Sequence, residues 1–225
     1  MTQSPDRNGS ETAKDGRVAR GEITRDRVLD AAERCFAERG FDAVSVREIA
    51  REAGVTLGTV SFHSGGKSAL FRAVLTRRMV VLNDRRMDRL QAVQANSEFR
   101  LGNLVDAYVT PFLEIASGKD PQWRAYARVV ARVAADDRYF VENGPLFDPV
   151  AMAFLTGMNT LYPRTDPKIL AVGFSLVVSS MLGTVARSGR VFGVGDVPAP
   201  DALHAFREQL VNFCVGGLLR MLDPE

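Results

Sequence analysis

Residues 45–66 read SVREIAREAGVTLGTVSFHSGG and contain two short helix patterns separated by a turn. Ser45 and Glu48 have the spacing of a capping box, in which the serine hydroxyl accepts from the glutamate amide and the carboxylate reaches back. Gly54 interrupts the first pattern, because glycine takes a left-handed turn without a steric penalty. Thr56 then offers an N-cap for a second helix. The stretch predicts two short helices joined by a tight turn.

The spacing of Ala50, Gly54 and Val60 matches a DNA-binding helix-turn-helix. In that motif a small residue lies where the helices cross, a glycine forms the turn, and an aliphatic residue of the second helix packs back. An ordinary helical hairpin explains these three residues equally well. On this spacing alone, both interpretations stay open.

The charges that follow favour DNA. The run from Ala53 to Asn83 contains no Asp or Glu, yet it carries Lys67, Arg72 and two further arginines. This part of the chain therefore presents no carboxylate to repel phosphate. The formal net charge of +2 would not have indicated a nucleic acid by itself.

Helical periodicity continues on both sides of this stretch, and alternating strand patterns are absent. Upstream, Thr24 offers a cap for a helix that Gly40 ends. Within the fourth helix we expect Asn83 to Arg89 to be largely solvated. The fold class is therefore predicted to be all-α with about nine helices. The predicted helices are 24–39, 46–53, 56–63, 67 into the nineties, 99–117, 121–137, 146–161, 167–188 and 201–222.

The domain organisation follows from composition. We expect a disordered polar tail at 1–22, a DNA-binding domain at 23–66 and a helical ligand-binding and dimerisation domain at 67–225. A chain of 225 residues with 46% hydrophobic content can bury a large core without a disulfide or metal. Cys35 and Cys214 lie far apart in sequence, which favours a reducing, cytoplasmic location, and no signal peptide is readable.

The segment Ile169 to Ala186 is free of charge and near the lower length limit for a membrane span. Its serines and glycines favour a buried interface helix without membrane contact. Small residues recur on it at four-residue steps, and the final helix has an apolar stripe. An intramolecular hairpin is the alternative to a homodimer here. The predicted dimer interface is Ala171, Ser175, Ser179, Gly183, Phe206, Leu210, Phe213 and Gly217.

Residues 24–71, including AAERCFAERGFDAVSVREIAREAGVTLGTVSFHSGGKSALF, resemble the DNA-binding domain of the tetracycline-repressor (TetR) family. The positions in and around the third helix that match the family pattern are Gly54, Val55, Thr56, Gly58, Val60, His63 and Lys67. Three positions depart from the family pattern. Ser61 stands where a phosphate-contacting tyrosine is usual, Ser64 replaces a packing phenylalanine, and Ser68 replaces a glutamate.

The resemblance implies that the third helix enters the major groove of a double-stranded DNA operator and that the chain works as a homodimer. It implies a regulator, usually a repressor, released by a small and mostly apolar effector. Core packing is the simpler explanation of the aromatic and methionine side chains that would line its pocket. The DNA-binding candidates are Arg47, Thr56, Leu57, Gly58, Thr59, Ser61, Phe62, His63 and Lys67; the pocket candidates are Phe112, Trp123, Tyr126, Met152, Met158 and Phe174.

Two other classes of function remain as alternatives. For an enzyme, the chain offers only two histidines and no recognisable catalytic motif. Ser61, His63 and Ser64 form the one local set worth testing, so we predict no catalytic residue, metal ligand or cofactor. The other alternative is a helical interaction module or membrane-associated protein that uses the uncharged helix.

Overall fold

The computed structural model describes residues 8–95, 99–134, 143–186 and 206–222. Every regular element in these ranges is helical, which confirms the predicted all-α class. We number the α-helices in chain order, with a short 3-10 helix at Gly144–Leu146 between the sixth and seventh. They are α1 Asn8–Arg39, α2 Val46–Ala53, α3 Leu57–Ser64, α4 Lys67–Gln94, α5 Leu101–Ser117, α6 Pro121–Val133, α7 Asp148–Leu161, α8 Pro167–Ala186 and α9 Arg207–Leu222.

The first helix is longer than predicted. It begins at Asn8, so most of the segment expected to be a disordered tail is helical. Thr24 does not cap this helix, because its hydroxyl donates to the Arg20 carbonyl one turn earlier at 2.8 Å. The predicted helical residues 135–137, 187–188 and 201–205 lie outside the described residues.

The chain divides into two compact units, Met1–Val74 and Leu75–Glu225. The division falls within α4, after Val74, and not at the predicted boundary after Gly66. The reason is packing at the start of α4, where the Phe71 ring lies edge-on to Phe36 at 5.0 Å and to Phe41 at 4.8 Å. These first two turns of α4 therefore complete the core of the first unit.

In the first unit, α1 packs against α2 and α3 around Ile49 and Val60, both of which are fully buried. The Arg27 guanidinium donates to the Ala53 carbonyl at 2.8 Å and so satisfies a free acceptor at the end of α2. The ion pair between Arg34 and Glu52 joins α1 and α2 at the surface. These contacts fix the position of α3 on its supporting helices.

In the second unit, α5 is buried along most of its length and contacts α6, α7, α8 and α9. The Tyr108 ring lies 5.0 Å from Phe154 and 4.9 Å from Phe174. Helix α8 packs closely on α9, since a Cβ at Gly173 would lie 2.6 Å from the Leu218 side chain. Among the described residues, α8 is the one helix long and apolar enough to cross a membrane, and 39% of its most apolar window is buried inside the protein.

Candidate functional site

The helix-turn-helix hairpin forms as its local signals predict. Ser45 and Glu48 make the capping box at the start of α2. Gly54 ends α2 in the left-handed conformation with a φ of 63°, and its N–H donates to the carbonyls of Ala50 and Arg51. The Thr56 hydroxyl caps α3 by accepting from the Thr59 amide at 3.2 Å. Sequence and structure therefore agree on both caps and on the turn.

Helix α3 has one buried side and one exposed side. Val60 is fully buried and anchors the helix to the first unit. On the other side Leu57 is 40% exposed and Phe62 is 86% exposed, and Gly58 and Ser61 are also exposed. A large apolar side chain with this exposure costs free energy in water unless a partner covers it. We call the side formed by Leu57, Gly58, Ser61 and Phe62 the α3 outer face.

Two of the predicted DNA contacts, Arg47 and Lys67, lie outside α3. Their side chains differ in the contacts that hold them. Arg47 is exposed in the first turn of α2. The Lys67 ammonium donates to the Asp42 carbonyl at 3.2 Å and lies 4.4 Å from the centre of the Phe41 ring. Lys67 is thus held against the loop between α1 and α2, so its charge also has a structural role.

Two of the three residues considered for catalysis make contacts within their own helix, and the third, Ser61, is exposed. The Ser64 hydroxyl donates to the Val60 carbonyl at 2.7 Å, within its own helix. The His63 ring lies edge-on to the Phe62 ring at 5.2 Å. Burial raises the pKa of the Cys35 thiol and likewise that of Cys214, which disfavours the reactive thiolate form. Within the described residues no three His, Cys, Asp or Glu side chains form a group that could hold a metal ion.

Glu48, in the first turn of α2, is an ionised carboxylate whose charge is compensated by its neighbours. Hydrogen bonds from the Ser45 amide, the Arg39 side chain and the Ser45 hydroxyl lower the pKa of Glu48 to about 2. The same carboxylate forms an ion pair with Arg39 of α1. Glu48 therefore belongs to the scaffold of the hairpin, and its charge is compensated beside the predicted DNA surface.

The second unit contains a cavity of about 1140 Å³ lined by α4, α5, α6, α7, α8 and α9. Three of the predicted pocket residues, Phe112, Met152 and Phe174, line it. Phe112 is deeply buried, whereas Met152 is exposed at the cavity opening. The cavity is thus large enough for a small organic ligand and has an apolar interior.

The other three predicted pocket residues, Trp123, Tyr126 and Met158, do not line this cavity. The Trp123 ring is covered by the guanidinium groups of Arg78 and Arg85, 4.8 and 5.4 Å from its centre. Tyr126 is fully buried and its hydroxyl donates to the Leu75 carbonyl at 3.2 Å. Met158 is a buried core residue. These side chains pack or pair away from this cavity, and their part in effector binding stays a prediction.

The small residues that recur along α8 were predicted to lie in a dimer interface, and in the structure they line the cavity. Ala171, Ser175, Ser179 and Gly183 all line the cavity, and all but Ala171 are exposed. The other four predicted interface residues lie on or beside α9: Leu210 and Phe213 also line the cavity, Phe206 is partly buried and Gly217 is exposed. Large apolar side chains that the prediction missed, Val172, Leu176 and Leu219, are exposed on the same two helices. We call the exposed residues Val172, Leu176, Phe213 and Leu219 the α8–α9 apolar face.

Sequence reasoning also missed Arg86, which lines the cavity and is only 3% exposed. The expectation that residues 83–89 are largely solvated is wrong at this position. A signal was present in the sequence. Met79, Leu82, Arg86 and Leu90 recur at three- and four-residue steps and are all buried, so Arg86 occupies a core position of the α4 stripe.

Two family models match the chain. Residues 28–74 match the model described as "Bacterial regulatory proteins, tetR family", and residues 106–217 match "Tetracyclin repressor-like, C-terminal domain". A curated relative, the HTH-type transcriptional regulator SrpR of Pseudomonas putida, is 43% identical over 61 residues. That match spans 27% of this chain and 29% of the relative, so the chain matches less than a third of that regulator's length.

Solved structures extend the likeness to most of the chain. The fatty acid degradation regulator FadR of Bacillus halodurans has a TM-score of 0.63 at 15% identity, over 85% of this chain and 98% of that one. FadR of Bacillus subtilis, solved in complex with stearoyl-CoA, has a TM-score of 0.61 at 16% identity, over 85% and 97%. These likenesses show a shared fold. Together with the matches to both the N-terminal and the C-terminal family model, they show that the chain belongs to the TetR family of transcriptional regulators.

Proposed function

We propose that the chain binds a double-stranded DNA operator through the α3 outer face and regulates transcription there. The observation that carries the proposal is this face, where Phe62 is 86% exposed on a helix anchored from behind by Val60. No acidic residue lies between Ala53 and Asn83, so phosphate can approach α3 without repulsion. The exposed Arg47 supplies a phosphate contact beside it.

The side chains of the α3 outer face suit apolar and backbone contacts in the groove. Leu57 and Phe62 can pack against thymine methyl groups or sugars, and Gly58 allows the helix backbone to approach closely. Ser61 supplies a short hydroxyl where its relatives usually carry tyrosine. We expect phosphate contacts to position the helix and these residues to set the sequence preference.

Selection from a random duplex library tests this function. Purified protein should enrich one sequence with two related half-sites, and fluorescence anisotropy should show roughly 10³-fold tighter binding than to a scrambled duplex. Ser61→Ala and Leu57→Ala should change the preferred sequence. Equal binding to every duplex, with no enrichment, would exclude an operator-specific regulator.

We infer that the cavity of the second unit is the effector site of this regulator and that its ligand releases the protein from DNA. Its volume and its lining by Phe112 and Phe174 support a small, partly apolar ligand. The structurally similar FadR of Bacillus subtilis was solved with stearoyl-CoA, which shows that this fold can hold such a ligand. A cytoplasmic location follows from this proposal, since both DNA and effector must be reached.

We also propose a homodimer formed through the α8–α9 apolar face. Phe213 is 72% exposed, and three further large apolar side chains are exposed on the same two helices. Exposed apolar surface of this kind is typical of a subunit interface. A twofold dimer would present two α3 helices to DNA half-sites roughly 34–36 Å apart.

A further inference from the structure

Arg86 is a buried cation in the wall of the effector cavity. We propose that this cavity binds an amphipathic anion, with an apolar body and a carboxylate or phosphate group that Arg86 holds. The proposal rests on the proposed function of the cavity as the effector site, and it names the chemical class of the effector. Arg86 is 3% exposed and lines the cavity together with Tyr108 and Phe112.

Where the structure describes the chain, the groups that contact the Arg86 guanidinium are neutral. Its Nε donates to the Tyr108 carbonyl at 3.1 Å, and Nη2 donates to the Met181 sulfur at 3.7 Å. The guanidinium carbon lies 3.9 Å from the centre of the Tyr108 ring. Within the described part of the chain, no carboxylate forms an ion pair with Arg86. Among the described residues, its buried positive charge therefore has no ion-pair partner.

Helix α5 supplies the first of these contacts. The Tyr108 carbonyl accepts from Arg86 across the gap between α4 and α5. Arg86 is thus oriented by α5, while its remaining donors are left for another partner.

One terminal nitrogen of Arg86 is available to that partner. Every fully buried side-chain nitrogen in the described residues has a hydrogen-bond partner. Nη1 has none there, so this atom is not fully buried, and Arg86 is one of the residues that line the cavity. A guanidinium offers parallel N–H donors that match the two oxygens of a carboxylate or phosphate. A buried, unpaired charge is costly, so an anion bound here gains a pairing that the described residues do not supply.

The rest of the lining favours an apolar body for the ligand. Leu82, Phe112 and Phe174 are buried cavity residues. The hydroxyls of Ser175, Ser180 and Thr184 donate to carbonyls of their own helix at 2.8–2.9 Å, so their hydrogens are already used. Among the described lining residues the other charged one is Asp148, which is exposed at the start of α7. A buried cation beside buried apolar side chains predicts a ligand with an apolar body and an anionic end.

Calorimetric titration of the full chain without DNA tests the proposal. The probes are decanoate, decyl phosphate and decan-1-ol, which share one apolar chain, all used below their micelle concentrations. We expect at least one anion to bind about tenfold or more tightly than the alcohol, as charge-assisted hydrogen bonds predict. The tighter of the two anions distinguishes a carboxylate effector from a phosphate effector.

Two variants assign the preference to Arg86. Arg86→Gln should bind the anions no more tightly than the alcohol, whereas the control Arg85→Gln should keep the wild-type preference, because Arg85 lies over the Trp123 ring outside the cavity. If circular dichroism shows that Arg86→Gln does not fold, Arg86→Lys takes its place and should keep a reduced preference for anions.

Three results would overturn the proposal: equal binding of alcohol and anions, an unchanged preference in Arg86→Gln, or no binding of any of the probes. A failure of the proposed DNA function leaves these titrations unaffected, since they contain no DNA. The two proposals can therefore fail separately.

Discussion

At the scale of single residues, the hairpin depends on a few positions whose roles are set by local hydrogen bonds. Glu48 closes the capping box of α2 and also pairs with Arg39 of α1. Gly54 supplies the left-handed turn between α2 and α3. Both residues act on the orientation of α3, and neither belongs to its outer face.

The first prediction concerns pH. The pKa of Glu48 is lowered in the folded chain from 4.5 to about 2, so its ionised form stabilises the fold above pH 4.5, and this contribution is lost as the pH falls toward 2. Glu48→Gln should therefore be less stable than wild type at neutral pH, and the difference should shrink on acidification. Urea unfolding across that range measures it. Glu208→Gln on α9 is the control, and parallel pH profiles of Glu48→Gln and wild type would contradict the prediction.

The second prediction compares two glycines of the hairpin. Gly54→Ala should destabilise the chain by about 1–2 kcal/mol, because an L-residue is strained in the left-handed region. Gly58→Ala should be neutral or stabilising by up to ~1 kcal/mol, since Gly58 is helical and an added Cβ would meet only the Thr56 hydroxyl at 3.8 Å. Urea denaturation followed by circular dichroism measures both. Equal costs at the two positions would show that the turn does not depend on Gly54.

At the scale of elements, α2 and α3 form the proposed DNA-binding surface, on which we expect separate parts to contact phosphate and bases. Arg47 is in the first turn of α2, while Leu57 and Phe62 project from α3. Lys67 follows at the start of α4, where the Asp42 carbonyl and the Phe41 ring hold it. These two cations therefore differ in their freedom to reach DNA.

The third prediction uses the salt dependence of operator binding. Arg47→Ala should weaken binding to all duplexes similarly and reduce the slope of log K against log salt by about one unit. Anisotropy titrations over a range of salt concentrations measure this slope. Arg128→Ala, an exposed charge of α6, should leave it unchanged. Lys67→Ala should lower stability as well as affinity, and an unchanged slope in either hairpin variant removes that residue from the phosphate contacts.

At the scale of the whole molecule, two exposed phenylalanines serve two different surfaces. Phe62 belongs to the α3 outer face in the first unit, and Phe213 belongs to the α8–α9 apolar face in the second. Each is a large apolar side chain that water solvates poorly. We expect DNA to cover the first and a second subunit to cover the other.

The fourth prediction follows from this pair. Phe213→Asp should convert the dimer into a monomer, because it places a charge in a desolvated interface. Operator binding should weaken as well, because a monomer presents only one α3 helix to the DNA. Phe62→Asp should abolish operator binding and leave the dimer intact. Size-exclusion chromatography with light scattering and anisotropy measure the two effects. A monomeric wild type, or a dimer that survives Phe213→Asp, would contradict the proposed interface.

Features set by neighbouring residues could be predicted from the sequence. The capping box at Ser45, the turn at Gly54 and the cap at Thr56 each depend on hydrogen bonds within a few positions, and the structure confirms all three. The inward position of Val60 follows from helical periodicity in the same way. The start of α1 was missed, because a polar composition at the N-terminus was interpreted as disorder although the segment is helical from Asn8.

The lining of the cavity could not be predicted from the sequence, because it depends on packing between helices far apart in the chain. Composition identified aromatic and methionine side chains, but only their packing shows that Phe174 faces the empty space while Tyr126 bonds to Leu75. Arg86 was expected to be solvated, yet its place on the α4 stripe buries it beside α5 and α8. The sequence by itself determined the two hairpin helices, the turn between them and the inward side of α3, since these need only local hydrogen bonding and periodicity. Tertiary structure alone decided which side chains line the cavity, because a void is bounded by helices that sequence spacing does not bring together.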